Sequence, residues 1–92
     1  MNKILFFHVV KLLKDYKRHG DIRLSQEKFH TPIEAIQGAR VTYEGQPVYE
    51  WAVITIETLA KYQPNRERLD HFLRNKGVQT YPGEIDIEKL RG

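Results

Sequence analysis

The apolar residues near the start of the chain recur at helical spacing. Four of them share one face of a helix: Leu5, Val9, Leu12 and Tyr16. Gly20 stands where a helix C-terminal cap is expected. This pattern predicts a first helix over residues 2–18. The stretch from Ile4 to Val10 is also rich in β-branched and aromatic residues, so a strand is the alternative.

The clearest β pattern lies between residues 39 and 56. Residues 41–43 and 48–56 flank a turn that contains Gly45 and Pro47, and this arrangement predicts a central β-hairpin. A four-residue loop sets Thr42 opposite Tyr49 and Arg40 opposite Trp51. From residue 51 to residue 56 the second strand is apolar on both faces, so we expect it to be covered on both sides.

Further elements follow from capping and turn signals. Thr31 and Pro32 predict the start of a short helix that ends at Gly38. Pro64 and Gly77 delimit a second long helix over residues 64–76, with Leu69, Phe72 and Leu73 as its apolar stripe. Residues 22–25 fit either a short strand or an extended segment, and short strands are predicted over 78–81 and 85–87. Residues 57–62 fit either a helical turn or a continuation of the strand.

Together these elements predict one α+β domain over residues 1–92, in which two main helices pack on a short, mainly antiparallel sheet with a central β-hairpin. The composition agrees, since 40% of the 92 residues are hydrophobic and 29% are charged. The absence of Cys excludes a disulfide scaffold and a thiolate zinc site. The N-terminal apolar run is shorter than a membrane span, which predicts a cytoplasmic protein without membrane contact.

Signals for catalysis and for cofactors are weak. The sequence has no glycine-rich phosphate loop, and its one serine, Ser25, lacks the flanking glycines of a nucleophile elbow. The four histidines are scattered, so we assign no metal, no cofactor and no catalytic residue. Glu67 and His71, four residues apart, form the one acid–base pair that a small hydrolase or nuclease could use. The sequence leaves catalysis open and favours a non-enzymatic protein.

Two apolar regions are candidates for a protein interface. Aromatic residues and Arg are enriched at interface hot spots, and a helix that is apolar nearly all round must be covered nearly all round. The candidate interface residues are Phe6, Phe7 and Val10 in the predicted first helix, and Arg40, Tyr43, Tyr49 and Trp51 in the predicted hairpin. The leading hypothesis is therefore a small binding or regulatory protein that acts through a protein–protein interface, as a homodimer or with a partner.

The alternative hypothesis is nucleic-acid binding. The net charge of +3 is concentrated in residues 1–40, which hold eight basic and four acidic side chains. The candidate phosphate-binding residues are Lys11, Lys14, Lys17, Arg18, Arg66, Arg68, Arg74 and Lys76. On two adjacent helices they would form a cationic strip. Asp15, Glu67 and Asp70 interrupt both clusters.

Overall fold

A computed structural model of the chain describes residues 4–13, 16, 21–75 and 78–91. The elements follow in the order β1 (Phe6–Leu12), β2 (Ile22–Leu24), α1 (Pro32–Thr42), β3 (Val48–Thr55), α2 (Ile56–Tyr62), α3 (Arg66–Arg74), β4 (Gln79–Pro82) and α4 (Ile87–Arg91). The four strands form one antiparallel sheet in the order β2-β1-β3-β4. The α+β class and the antiparallel sheet are confirmed. In the described ranges, no helix has the length and apolar character needed to cross a membrane.

Helices cover both faces of this sheet. Successive residues of a strand point to opposite faces of the sheet, so β1 and β3 each contribute side chains to two hydrophobic cores, one on each face. The α3-side core consists of Phe7, Val9, Ala52, Ile54, Leu59, Leu69 and Leu73. The α1-side core consists of Val10, Ala35, Ile36, Ala39, Trp51, Val53 and Ile87. The prediction that the strand after residue 51 is covered twice is therefore confirmed.

The predicted first helix over residues 2–18 is wrong, because residues 6–12 form the strand β1. The strand that was the alternative over this stretch is the correct element type. A strand buried on both faces is apolar at odd and even positions alike. A continuous apolar run always contains apolar residues at helical spacing, so the hydrophobic periodicity could not distinguish a helix from a strand here. The predicted helix end at Gly20 lies outside the described residues.

The predicted central hairpin is also wrong. Val41 and Thr42 form the last turn of α1, and β3 pairs with β1 and β4 instead. Thr42 and Arg40 are therefore not strand partners of Tyr49 and Trp51. The turn signal itself is real, since Gly45 adopts a positive φ of 84°, but the turn joins a helix to a strand.

Helix α1 begins as predicted and ends later than predicted. The Thr31 hydroxyl accepts a hydrogen bond from the Glu34 N–H at 3.1 Å, and Pro32 occupies the first turn. The helix continues through Gly38 because the missing side chain makes room for the Phe29 ring. A Cβ atom at Gly38 would lie 2.7 Å from that ring. Gly38 thus serves close packing within the helix and does not end it.

The C-terminal half agrees with the sequence in part. Helix α3 begins two residues after Pro64, where the Asn65 side chain accepts a hydrogen bond from the Arg68 N–H at 3.2 Å. Residues 56–62 form a separate helix, which resolves the alternative left open. The strand predicted over 78–81 is confirmed as β4, and of the two alternatives for 22–25 the strand is correct, as β2. The strand predicted over 85–87 is wrong, because Ile87 begins α4 and Asp86 accepts from the Glu88 N–H at 3.0 Å. The predicted helix end at Gly77 lies outside the described residues.

Candidate functional site

An open groove of about 990 Å³ lies between β2 and the helices α2 and α3. Its apolar lining includes Ile22 and Leu24 from β2, and Leu59, Leu69 and Leu73 from the two helices. Ile22 and Leu24 are half-buried and pack against the α3-side core. The floor of the groove is therefore a margin of this core that the chain's described residues leave uncovered. Its volume is in the range of ligand-binding clefts.

The groove runs along an edge of the sheet. Among the strands that the structure describes, β2 is terminal and pairs with β1 alone. The Ser25 N–H donates to the His8 carbonyl, and the Leu12 N–H donates to the Asp21 carbonyl, each at 2.9 Å. Hydrogen-bonded and non-hydrogen-bonded pairs alternate in an antiparallel ladder, so Arg23 is the β2 residue that bonds to β1.

The same alternation fixes which backbone groups of β2 remain available. The N–H and C=O groups of Ile22 and Leu24 point away from β1, toward the outer edge. Within the described parts of the chain, no further segment forms a backbone hydrogen bond with these two residues. The edge therefore presents two donors and two acceptors beside a groove that is lined by both apolar and polar side chains.

The rim of the groove is charged. Arg23, Lys28, Arg66, Glu67 and Asp70 line it, and the Asp70 carboxylate accepts from the Arg74 Nε at 2.6 Å. The other four form no salt bridge within 4.0 Å with any residue in the described ranges. The rim thus holds three unpaired cations against one unpaired carboxylate.

A second polar cluster lies away from the groove and is enclosed. The Lys11 side chain has no exposed surface, and its Nζ lies 3.2 Å from the Glu50 carboxylate on the neighbouring strand. The Tyr16 ring centroid is 5.9 Å from the Lys11 Nζ, and the Tyr16 and Tyr49 rings stack at 4.6 Å. Burial raises the pKa of Tyr16 to about 12, with further contributions from a hydrogen bond and charge interaction with Tyr49 and from the Glu50 charge. This cluster holds a buried cation in place.

The predicted interface residues are spread over both cores. Phe7, Val10 and Trp51 are buried, and Phe6 and Tyr43 are half-buried against the α1-side core. Arg40 is exposed on α1 and donates to the Ile85 carbonyl at 3.5 Å. Tyr49 is 41% exposed and stacks on Tyr16. The first-helix surface on which the dimer was predicted does not form, since its residues belong to β1.

The predicted cationic strip is not assembled by the described residues. Lys11 is buried in its ion pair, and Arg74 is bound to the Asp70 carboxylate and to the Tyr16 carbonyl. Arg66 and Arg68 are exposed in the first turn of α3, and of these two Arg66 lines the groove. The remaining members lie outside the described residues: Lys14, Lys17, Arg18 and Lys76.

The predicted acid–base residues do not converge on a reaction site. The His71 Nδ1 lies 3.3 Å from the Asn75 amide nitrogen, and no hydrogen bond joins His71 to Glu67. The Ser25 hydroxyl donates to the Glu27 carbonyl at 2.9 Å and accepts from the His8 N–H at 3.1 Å. Among residues 4–13, 16, 21–75 and 78–91, no three His, Asp or Glu side chains form a group that could hold a metal ion.

Sequence reasoning gave a strand as one alternative for residues 22–25 but missed the groove beside it. No local signal shows that a strand lies at the edge of a sheet, because this depends on which strands pair. Arg23 at the centre of a short strand was the available hint, since charged residues are typical of edge strands.

No protein family matches the chain, and comparisons with curated proteins and with solved structures give no match.

Proposed function

We propose that this protein is a small, non-enzymatic binding protein that holds an extended segment of a partner protein against β2 by strand addition. The observation that carries the proposal is the outer edge of β2, which pairs with no other described strand and lies beside a groove with a partly apolar lining. In strand addition, backbone hydrogen bonds supply affinity, and pockets for alternate side chains supply specificity. The outward backbone groups of Ile22 and Leu24 and the apolar lining from α2 and α3 meet these two requirements.

Arg23 favours a partner protein over a second copy of this chain. It occupies the centre of the three-residue strand β2. Two copies that paired antiparallel about this residue would set one guanidinium directly opposite the other. Like charges in that position are destabilising, and charged edge residues discourage pairing between identical edges. The homodimer predicted from the sequence is thus the less favoured form of this interaction.

The experiment selects peptides from a displayed library of random sequences and measures their affinity by fluorescence anisotropy. Ala60 is exposed on α2 and lines the groove, so Ala60→Trp would place an indole ring in it and obstruct a bound segment. Its neighbour Lys61 is exposed and lies outside the groove lining, so Lys61→Trp is the matched control. We expect peptides with alternating apolar residues, an affinity loss of about tenfold or more in Ala60→Trp, and little change in Lys61→Trp.

The position of the bound peptide is tested by amide hydrogen exchange. Binding should slow exchange at Ile22 and Leu24, whose N–H groups point outward. N-methylation of alternate peptide amides should abolish binding because it removes the donors to the edge. Failure to select any peptide, or binding that Ala60→Trp leaves unchanged, would overturn the proposal. A dimer in sedimentation that Ala60→Trp dissociates would identify a second copy as the occupant and would also overturn it.

A further inference from the structure

The charge of the groove rim indicates which segment binds there, given the strand addition proposed above. We infer that the partner segment alternates apolar with acidic side chains, and that an acidic residue lies opposite Arg23. The inference depends on two features of the described residues: the two faces of β2 differ in chemistry, and the cations of the rim lack partners.

The first feature concerns the face of the added strand that looks toward α2 and α3. Ile22 and Leu24 project to this face, where they pack against the α3-side core. A strand added beside β2 would turn every second side chain to the same face. Those side chains would enter the groove among Leu59, Leu69 and Leu73, so apolar residues fit at these positions.

The second feature concerns the other face of the added strand. Arg23 is paired with Val10, whose side chain lies in the α1-side core, so the Arg23 side chain projects away from α3. The backbone N–H and C=O groups of Arg23 point toward β1. Relative to a strand added at the outer edge, Arg23 is therefore in a non-hydrogen-bonded position. In an antiparallel addition, side chains directly opposite each other at such a position are at their closest. An acidic residue there would meet an exposed guanidinium that has no ion-pair partner among the described residues.

Lys28 and Arg66 lie on the groove side of the sheet, where their charges would attract an acidic segment without directly facing the residue opposite Arg23. Both are exposed, line the groove and form no salt bridge with a described residue. Glu67 is the one unpaired carboxylate against these three cations. The mixed charges of the rim and the apolar part of the lining favour a polypeptide over a nucleic acid, since a phosphate backbone gains nothing from leucine side chains and is repelled by Glu67.

The test compares three short peptides that share the same alternating valine and isoleucine positions. Their intervening positions are all Glu, all Gln or all Lys, and affinity is measured by fluorescence anisotropy at low and high salt. We expect the Glu peptide to bind about tenfold or more tightly than the Lys peptide, with Gln intermediate. High salt should reduce this difference because the rim is exposed.

Matched arginine variants assign the preference to a residue. Arg23→Gln should weaken the Glu peptide severalfold and leave the Gln peptide nearly unchanged. Arg68 is exposed on α3 but does not line the groove, so Arg68→Gln should change neither affinity. Since both are surface substitutions, neither is expected to impair folding.

The outcomes separate this inference from the proposed function. Equal binding of the three peptides, all weakened by Ala60→Trp, would overturn the acidic preference while strand addition stands. Tighter binding of the Lys peptide would do the same. No binding by any peptide, including those selected from the library, would overturn both. A single-stranded oligonucleotide that binds more tightly than the Glu peptide, and displaces it, would overturn the choice of a polypeptide partner.

Discussion

The buried ion pair between Lys11 and Glu50 gives the sharpest prediction for stability. The Lys11 side chain has no exposed surface, whereas Glu50 retains 12%. Their charged atoms are 3.2 Å apart, and neither atom meets hydrogen-bond geometry with a described residue. Lys11 therefore depends on the charge of Glu50. We expect Glu50→Gln, which keeps the side-chain shape and removes the charge, to destabilise the protein strongly.

The magnitude follows from the distance. At an effective dielectric constant of about 20, two unit charges 3.2 Å apart attract by about 5 kcal/mol. Glu50→Gln removes this attraction, while the desolvation of Lys11 remains. Measured losses when one partner of a buried pair is removed are about 3–5 kcal/mol. This is a large share of the roughly 5–15 kcal/mol by which domains are stable, and it should lower Tm by at least about 12 °C.

Removing the other partner of the pair should lower the free energy of unfolding by less. Lys11→Met leaves the Glu50 carboxylate alone, and this group has partial access to water. The double variant Lys11→Met/Glu50→Leu removes both charges and leaves an apolar cross-strand pair. Replacing a buried ion pair by apolar residues is often neutral or stabilising, so its unfolding free energy should lie within about 2 kcal/mol of the parent's.

Urea unfolding followed by circular dichroism measures all four proteins. The predicted order of stability is parent and double variant first, then Lys11→Met, then Glu50→Gln. The reasoning is refuted if Glu50→Gln costs less than about 1 kcal/mol, which is the scale of an exposed ion pair. It is also refuted if the double variant is as unstable as Glu50→Gln, because the loss would then come from packing and not from an unpaired charge.

Three further perturbations test other parts of the structure. A Cβ atom at Gly83 would overlap the Val48 carbonyl oxygen, so Gly83→Ala should cost about 3 kcal/mol or more in urea unfolding; an unchanged midpoint would contradict this close approach. Burial lowers the pKa of His8, whose Nδ1 has no hydrogen-bond partner among the described residues, so stability should fall as the pH drops below about 6.5. His8→Leu should flatten that decline, and an equal acid sensitivity in both proteins would count against a buried neutral imidazole. The pKa of Tyr16 is raised to about 12, so its contribution should be constant below about pH 10 and be lost as the pH rises toward 12; Tyr16→Phe should reduce this alkaline loss, measured by thermal unfolding across that range.

Local signals in the sequence were accurate where one residue type settles the local structure. Thr31 and Pro32 mark the start of α1, because a hydroxyl at the N-cap followed by a proline is a characteristic helix N-terminus. The apolar stripe of Leu69 and Leu73 likewise marks α3, since both side chains enter one core and the opposite face is polar. In both cases the sequence signal lies within the element or directly beside it.

The sequence was misleading where the structure depends on remote parts of the chain. Strand β1 is buried on both faces, so its composition no longer shows a period of two. The turn at Gly45 was assigned correctly, but a hairpin also required that the segments on either side pair with each other. Instead β3 pairs with β1 and β4, which are distant in sequence. Partner choice of this kind is not encoded in a local pattern.

The location of the groove follows from how a small domain distributes its helices. Helix α1 packs on β1 and β3, and α2 packs on β3. These helices therefore lie over the two central strands of the sheet. Strand β2 has three residues and stands at the edge, where Ile22 and Leu24 remain half-buried. The sequence predicted an apolar interface on a first helix, whereas in the structure the partly exposed apolar residues beside the groove are Ile22 and Leu24 of β2. Arg23 keeps this edge compatible with water and hinders its pairing with an identical edge. The residue that discourages self-association is therefore also the one that would select an acidic partner.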